Sequence, residues 1–322
     1  MEQTYAYRLS VTAPGGGETR DVTALTQSIT WSGDIRQTAR ELRSALVIPR
    51  DGSVEAPPLE EGAWLTQQAA GQTLFFGPLI QCSTSSQSFV VNVSALDRGR
   101  FLARNEGFYK FTNITPEAAA RTICSDFGIP VGTLAATGVA LTQNFPGKTL
   151  DSIIRTLYTM AGERSGKRYV MRFTGEGRFE VREKPTAATM EIVRTMGVAN
   201  TWNIEKMQNR VAIYTDDGAL VRNVDDAASI ALNGTLCHVL RQSSGEDVGD
   251  EARAWLEDHG LSQNLTVQVE DPPLDLIAGT AVLLRDTGSG VSGLFWVDAD
   301  THTWKNRIHT GKFTLNFRNL ME

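Results

Sequence analysis

Gly288-Ser289-Gly290-Val291-Ser292-Gly293 spells GxGxxG. In a dinucleotide site that spacing joins a strand to a helix whose N-terminal amides hold a pyrophosphate. Here the run lies between two strand-like segments, and Leu294–Val297 has no helical period, so a glycine-rich hairpin loop is expected. His302 and His309 lie near Asp298 and Asp300, residue types suited to metal binding or acid–base work. Their spacing matches no HExxH, and a pair of ligands would still need a third from elsewhere, so packed or loop histidines are expected. Cys237 and His238 are adjacent. In a strand their side chains point to opposite faces and form no nucleophile–base pair. Asp216-Asp217 and Asp225-Asp226 sit among turn residues and read as solvated loop charge. No GxSxG elbow, GxxxxGK[ST] loop or CxxC pair is present. The expectation is therefore a chain with no catalytic, cofactor-binding or metal-binding residue.

The elements that would have to position such chemistry point the same way. The 322 residues suffice for two or three domains, and the 41% apolar fraction is ordinary for folded protein. A net charge of −6 without a Lys/Arg block speaks against a nucleic-acid surface. The scattered tryptophans do not interleave with basic residues for base stacking, and read as core or subunit-interface anchors. No run has the length of a membrane span, and Met1–Tyr5 lacks the order of a signal peptide. Cys82, Cys124 and Cys237 are widely separated, so a reducing cytoplasm is expected. Four Asn-x-Ser/Thr triplets, at Asn92, Asn113, Asn233 and Asn264, mean little without a secretory route.

Residues 1–100 read as a small antiparallel barrel or sandwich. Tyr5, Tyr7, Leu9 and Val11 alternate with Ala6, Arg8 and Ser10, the period of a half-buried strand. Pro14–Gly17 breaks the run, and Arg20–Val22 can return as its hairpin partner. Further strands are expected at Ser28–Trp31, Ala45–Ile48, Trp64–Gln67, Leu74–Cys82 and Phe89–Ala95, separated by Gly33-Asp34, Pro49 to Gly52, Gly62 and Gly71. Residues 101–190 read as a compact α+β domain. Thr115-Pro116-Glu117 starts one helix. Leu150, Ile153, Ile154, Leu157, Tyr158 and Ala161 form the stripe of a second, which Gly162 should end. A hairpin of Tyr169–Phe173 and Arg178–Val181 follows. Residues 191–322 read as a second strand-rich module, with strands at Val211–Tyr214, Thr266–Val269, Thr280–Leu284, Leu294–Val297 and Lys312–Phe317. One inserted helix carries Val248, Ala252, Trp255 and Leu256. Phe313, Leu315 and Phe317 should share a core-facing side.

Several strings resemble a known family. Ile29-Thr30-Trp31-Ser32-Gly33-Asp34, Gln37–Leu42 and Leu74–Ile80 with its Phe-Phe-Gly-Pro are similar to the first module of tail-hub proteins of contractile phage tails, of the PBSX-like prophage type. So are Ala95-Leu96-Asp97-Arg98 and Phe101-Leu102. The middle matches through Tyr109-Lys110-Phe111, Asn113, Thr115–Ala119, Ile123-Cys124 and Asp126–Gly132. The end matches through Ile277–Gly279, Gly293, Trp296-Val297 and His302 to Phe317. The resemblance implies a non-enzymatic hub in which three copies form a ring. Their two barrel modules each would adapt a sixfold tail tube to a threefold central spike and nucleate tube assembly. It further implies tape-measure, LysM-like and baseplate wedge or sheath-side neighbours, no membrane and no specific nucleic acid, and a site in a virion, tailocin or related contractile injection machine after assembly in the host cytoplasm. The Pro-Glu helix followed by Asp126–Val131 also looks like one LysM-type turn. That leaves a cell-wall glycan binder or tail-associated peptidoglycan hydrolase as the alternative.

Overall fold

The structure is a computed structural model that describes residues 7–49, 51–243 and 247–319. Tyr5 and Ala6 of the expected first strand and Arg50 of the expected turn lie outside them. The strands are β1 Tyr7–Thr12, β2 Thr19–Asp21, β3 Thr26–Asp34, β4 Glu41–Val47, β5 Trp64–Ala69, β6 Gln72–Ser85 and β7 Ser88–Leu96. Then come α1 Gly99–Arg104, β8 Glu106–Ile114, α2 Pro116–Asp126, β9 Val131–Leu134, β10 Leu141–Thr149, α3 Leu150–Ser165, β11 Tyr169–Phe173, β12 Phe179–Glu183 and β13 Met190–Ile192. The rest are β14 Gly197–Asn203, β15 Arg210–Thr215, β16 Leu220–Asp225, α4 Ala227–Asn233, β17 Cys237–Gln242, α5 Gly249–Asp258, β18 Ser262–Glu270, β19 Ala281–Asp286, β20 Val291–Lys305 and β21 Ile308–Asn316. The chain is mainly β, with strand-rich ends around an α+β middle. Among the described residues no helix is long and apolar enough to cross a membrane.

Two units separate: residues 1–198 with 266–322, and residues 199–265. In the first, one hydrogen-bonded path runs β21-β20-β3-β4-β7-β6-β5-β1-β2. The two strand-rich ends therefore share backbone pairing. β20 lies antiparallel to β3, with Trp304 opposite Ile29 and His302 opposite Trp31. Alternation along β1, β3, β4, β5 and β7 turns Leu9, Val11, Ile29, Trp31, Leu42, Leu46, Leu65, Val93 and Ala95 into one core, which Trp304 of β20 completes. The middle forms its own core from α1, α2, α3, β8, β10, β11 and β12. Its helices arise from amphipathic stripes: Ala119, Ala120 and Ile123 in α2, and Leu150, Ile153, Ile154, Leu157, Tyr158 and Ala161 in α3, are buried. α1 has no counterpart in the sequence reading; its six residues are too few to display a period.

Three sequence expectations are corrected. Gly162 does not end α3; it is buried inside the helix, and Gly166, in the left-handed region at φ +71°, stops it. A small residue serves close packing as well as termination, and sequence alone does not separate the two uses. Phe317 does not continue the apolar face of the last strand. Phe313 and Leu315 are buried, whereas Phe317 lies past the strand, exposed, edge-on to Phe295. The second unit holds two helices rather than one, because Asp226 caps α4 by accepting from the Ser229 amide. In that unit β16-β15-β17 pack Val211 and Ile213 against Ala252 of α5. Trp255 of α5 lies between the rings of His238 and His259, at 3.7 and 3.8 Å.

Candidate functional site

Most of the sequence candidates lie apart from one another, in turns and strands. The GxGxxG run spans the β19–β20 hairpin: Gly288-Ser289-Gly290 lie in its turn, closed by the Ser289 amide and hydroxyl donating to Asp286, and Val291-Ser292-Gly293 open β20. Asp217 lies in the β15–β16 turn and accepts from Thr215. Asp225 pairs with Arg210 through two 2.7 Å hydrogen bonds. Cys237 and His238 lie in β17 with alternate exposure, and His238 is taken up by Trp255. Among the described residues no group of three or more His, Cys, Asp or Glu could hold a metal ion.

His302 and His309, by contrast, are brought together, with Asp300 and Asp271 beside them, whereas Asp298 accepts from Asn316 instead. β20 and β21 are antiparallel, with His302 opposite Gly311 and Trp304 opposite His309. Both imidazoles point inward and are buried. His302 Nε2 is 2.9 Å from the Leu276 carbonyl, so that nitrogen must carry the hydrogen. Its Nδ1 is then the acceptor for His309 Nε2, 3.0 Å away. His309 Nδ1 faces Asp271 Oδ1 at 3.3 Å. Burial pulls the His302 pKa down to about 4, against the charge of Asp300, and burial lowers His309 as well, against Asp271. The chain of contacts stitches the 271–276 loop to two strands.

Beneath it lies an ion pair that sequence reasoning missed. Asp300 is fully buried, and its two oxygens accept from Arg40, one at 2.9 Å, while Oδ1 also accepts the Ala278 amide at 2.7 Å. Arg40 reaches it across β3 because position 33 is glycine; a Cβ there would stand 2.2 Å from the Arg40 Nη1. The guanidinium carbon sits 4.0 Å from the Trp31 ring centroid. Arg40 also donates backbone support: its carbonyl accepts the amide of Asp97. Asp97 accepts from the Gly99 amide, and burial raises its pKa to about 7 despite that bond and the Arg40 charge. Trp31-Ser32-Gly33-Asp34 and Ala95–Arg98 thus converge on one polar joint between the two strand-rich ends. The pairing of residues 40 and 300 left no local pattern from which to find it. Near the joint opens a cleft of about 980 Å³ that includes Arg194, Glu270, Asp271, Arg307 and His309.

The arrangement ties β3, β20, β21 and the 271–276 loop together. The same architecture occurs in solved tail proteins. The 43 kDa tail protein of prophage MuSo2 from Shewanella oneidensis superposes with a TM-score of 0.73 at 13% identity, covering 98% of this chain and 100% of that one. A tail protein from Neisseria meningitidis MC58 gives 0.72 at 15% identity, covering 98% of each. The fold is that of a phage tail protein. At sequence level, the phage-like element PBSX protein XkdQ of Bacillus subtilis is 22% identical over 309 residues, 92% of this chain and 93% of that protein. Residues 29–316 match the profile of the YQBQ-like family, and the chain belongs to that family.

Proposed function

We propose that the chain is a non-enzymatic structural hub of a contractile-tail baseplate, three copies forming a ring that adapts a sixfold tail tube to a threefold spike. Two strand-rich modules per chain, residues 1–100 and 191–322, would supply six tube-like positions, with the α+β middle, residues 101–190, as a brace. The observation that carries the reading is the joint at Arg40–Asp300 and the β3–β20 ladder, which makes both ends one mechanical piece, as a platform for a tube requires. Family membership and the fold shared with tail proteins support it. Assembly would take place in the host cytoplasm, with the tube, spike, tape-measure, LysM-like and wedge or sheath-side proteins as neighbours. Closing a ring also covers strand edges that would otherwise aggregate. Cryo-electron microscopy of the assembled particle, reconstructed without imposed symmetry, tests this. Three copies around the axis below the tube are expected; one or six at that position would overturn it.

A further inference from the structure

Arg98 sits at the turn into α1, immediately after the buried Asp97. Its stem is fixed from two sides. Gly177, in the β11–β12 turn, lies so close that a Cβ there would stand 2.9 Å from the Arg98 Cδ. The Arg98 guanidinium carbon lies 5.6 Å from the Trp64 ring centroid and 5.5 Å from that of Phe76, two rings stacked on each other at 4.7 Å. The turn itself is pressed on β6, since a Cβ on Gly175 would fall 1.7 Å from the Thr73 carbonyl oxygen. A side chain that usually loses rotamer entropy on binding is therefore already ordered.

What this arginine lacks is an anion. Arg40, Arg172 and Arg182 in the same unit all have carboxylate partners. Among the described residues no carboxylate lies within ion-pair distance of Arg98, and its buried Nε has no hydrogen-bond acceptor. A desolvated, unpaired donor is costly to keep. Its head lines a pocket of about 260 Å³ together with Trp64, Phe101, Asn105 and Phe127. Phe101 and Phe127 are 36% and 40% exposed. The volume is below that of a drug-sized ligand site and suits one or two side chains.

We infer that this pocket receives an acidic peptide segment of a partner protein, an Asp or Glu carboxylate forming a forked pair with Arg98 while a neighbouring apolar side chain covers Phe101 and Phe127. The inference stands independently of the hub reading. It is tested on the full chain labelled with 15N-tryptophan, with the Trp64 indole resonance assigned by Trp64→Phe. The probes are acetyl-Leu-Glu-Gly-amide, its Gln counterpart, sodium acetate and N-acetylglucosamine. The Glu peptide should shift the Trp64 resonance saturably at millimolar concentration. The Gln peptide should bind about tenfold more weakly, the ratio expected when a charge-assisted pair becomes a neutral bond. Arg98→Gln should abolish the difference and Arg98→Lys should keep part of it. Should Arg98→Gln disturb the native spectrum, the Lys variant and the Glu–Gln comparison on the unaltered chain decide. Equal binding of both peptides, acetate binding as tightly as the Glu peptide, a response to N-acetylglucosamine alone, or no response to any probe would each overturn the inference.

Discussion

Asp300→Ala is the perturbation that probes the joint most directly. The carboxylate is fully buried, accepts from Arg40 twice and from the Ala278 amide once. Its removal leaves the guanidinium, 10% exposed, without its counter-ion. Breaking a buried pair from one side costs about 3–5 kcal/mol, and an orphaned amide about 1–3 kcal/mol. The two overlap, so a loss of about 4 kcal/mol is expected, a large part of the 5–15 kcal/mol typical of a folded domain. Arg40→Met in the same chain removes the stranded charge, and the double variant should regain about 2 kcal/mol relative to the sum of the two single changes. Urea unfolding followed by fluorescence reads this in a Trp202→Phe, Trp255→Phe background, which leaves tryptophans only in the first unit, among them Trp31 under Arg40. A loss below about 1 kcal/mol for Asp300→Ala, or strict additivity in the double variant, would refute the idea that this pair joins the two ends.

Leu315→Asp puts a charge into the core of the last strand, where Leu315 is 1% exposed, at a cost of several kcal/mol. Lysates carrying it should contain no assembled tubes by electron microscopy, and intact tails containing the variant would count against the tube-like role of that module. Gly175→Ala, whose Cβ would meet the Thr73 carbonyl oxygen at 1.7 Å, should lower the melting temperature, whereas Gly71→Ala, with open space around it, should cost only the strain of its turn. For pH the two buried groups act in opposite directions. His302 has its pKa lowered from 6.5 to about 4, so folding favours its neutral form and stability declines as pH falls through that window. Asp97 has its pKa raised from 3.8 to about 7, so its contribution is full below 3.8 and is lost as pH rises toward 7. Asp97→Asn should therefore flatten the neutral side of a denaturation-against-pH curve and leave the acidic side sloping; an unchanged curve would remove Asp97 as the cause.

Local periodicity made many of the elements legible. The stripes of α2 and α3, the hairpin of β11 and β12, and the alternation of β1 and β4 all encode one buried face within a few residues. Elements without that redundancy were harder: α1 is too short, and α4 is announced only by Asp226 and Ser229. The histidines were visible as residues but not as neighbours of Asp271, because the contacts cross from β20 to β21 and on to a loop 38 positions away from His309. Arg40 and Asp300 are 260 positions apart; a single sequence carries no signal at that range. Gly33 and Gly177 read as ordinary turn residues, yet their lack of a side chain is what admits two arginines.

The β3–β20 ladder also sets an order in time. Ile29 and Trp31 pair with Trp304 and His302, and Trp304 fills the core that the first seven strands surround. While the chain is emerging from the ribosome, that first core lacks a large aromatic ring, and β3 has one bare edge until residues 291–305 have been made. Long-range pairing of this kind is slow to close and leaves strand edges open meanwhile. Local hairpins and the helical middle can form early, but the finished platform arrives only with its last strands. A truncated translation product would then be a poor competitor for assembly, since it cannot present a completed surface to which other subunits add.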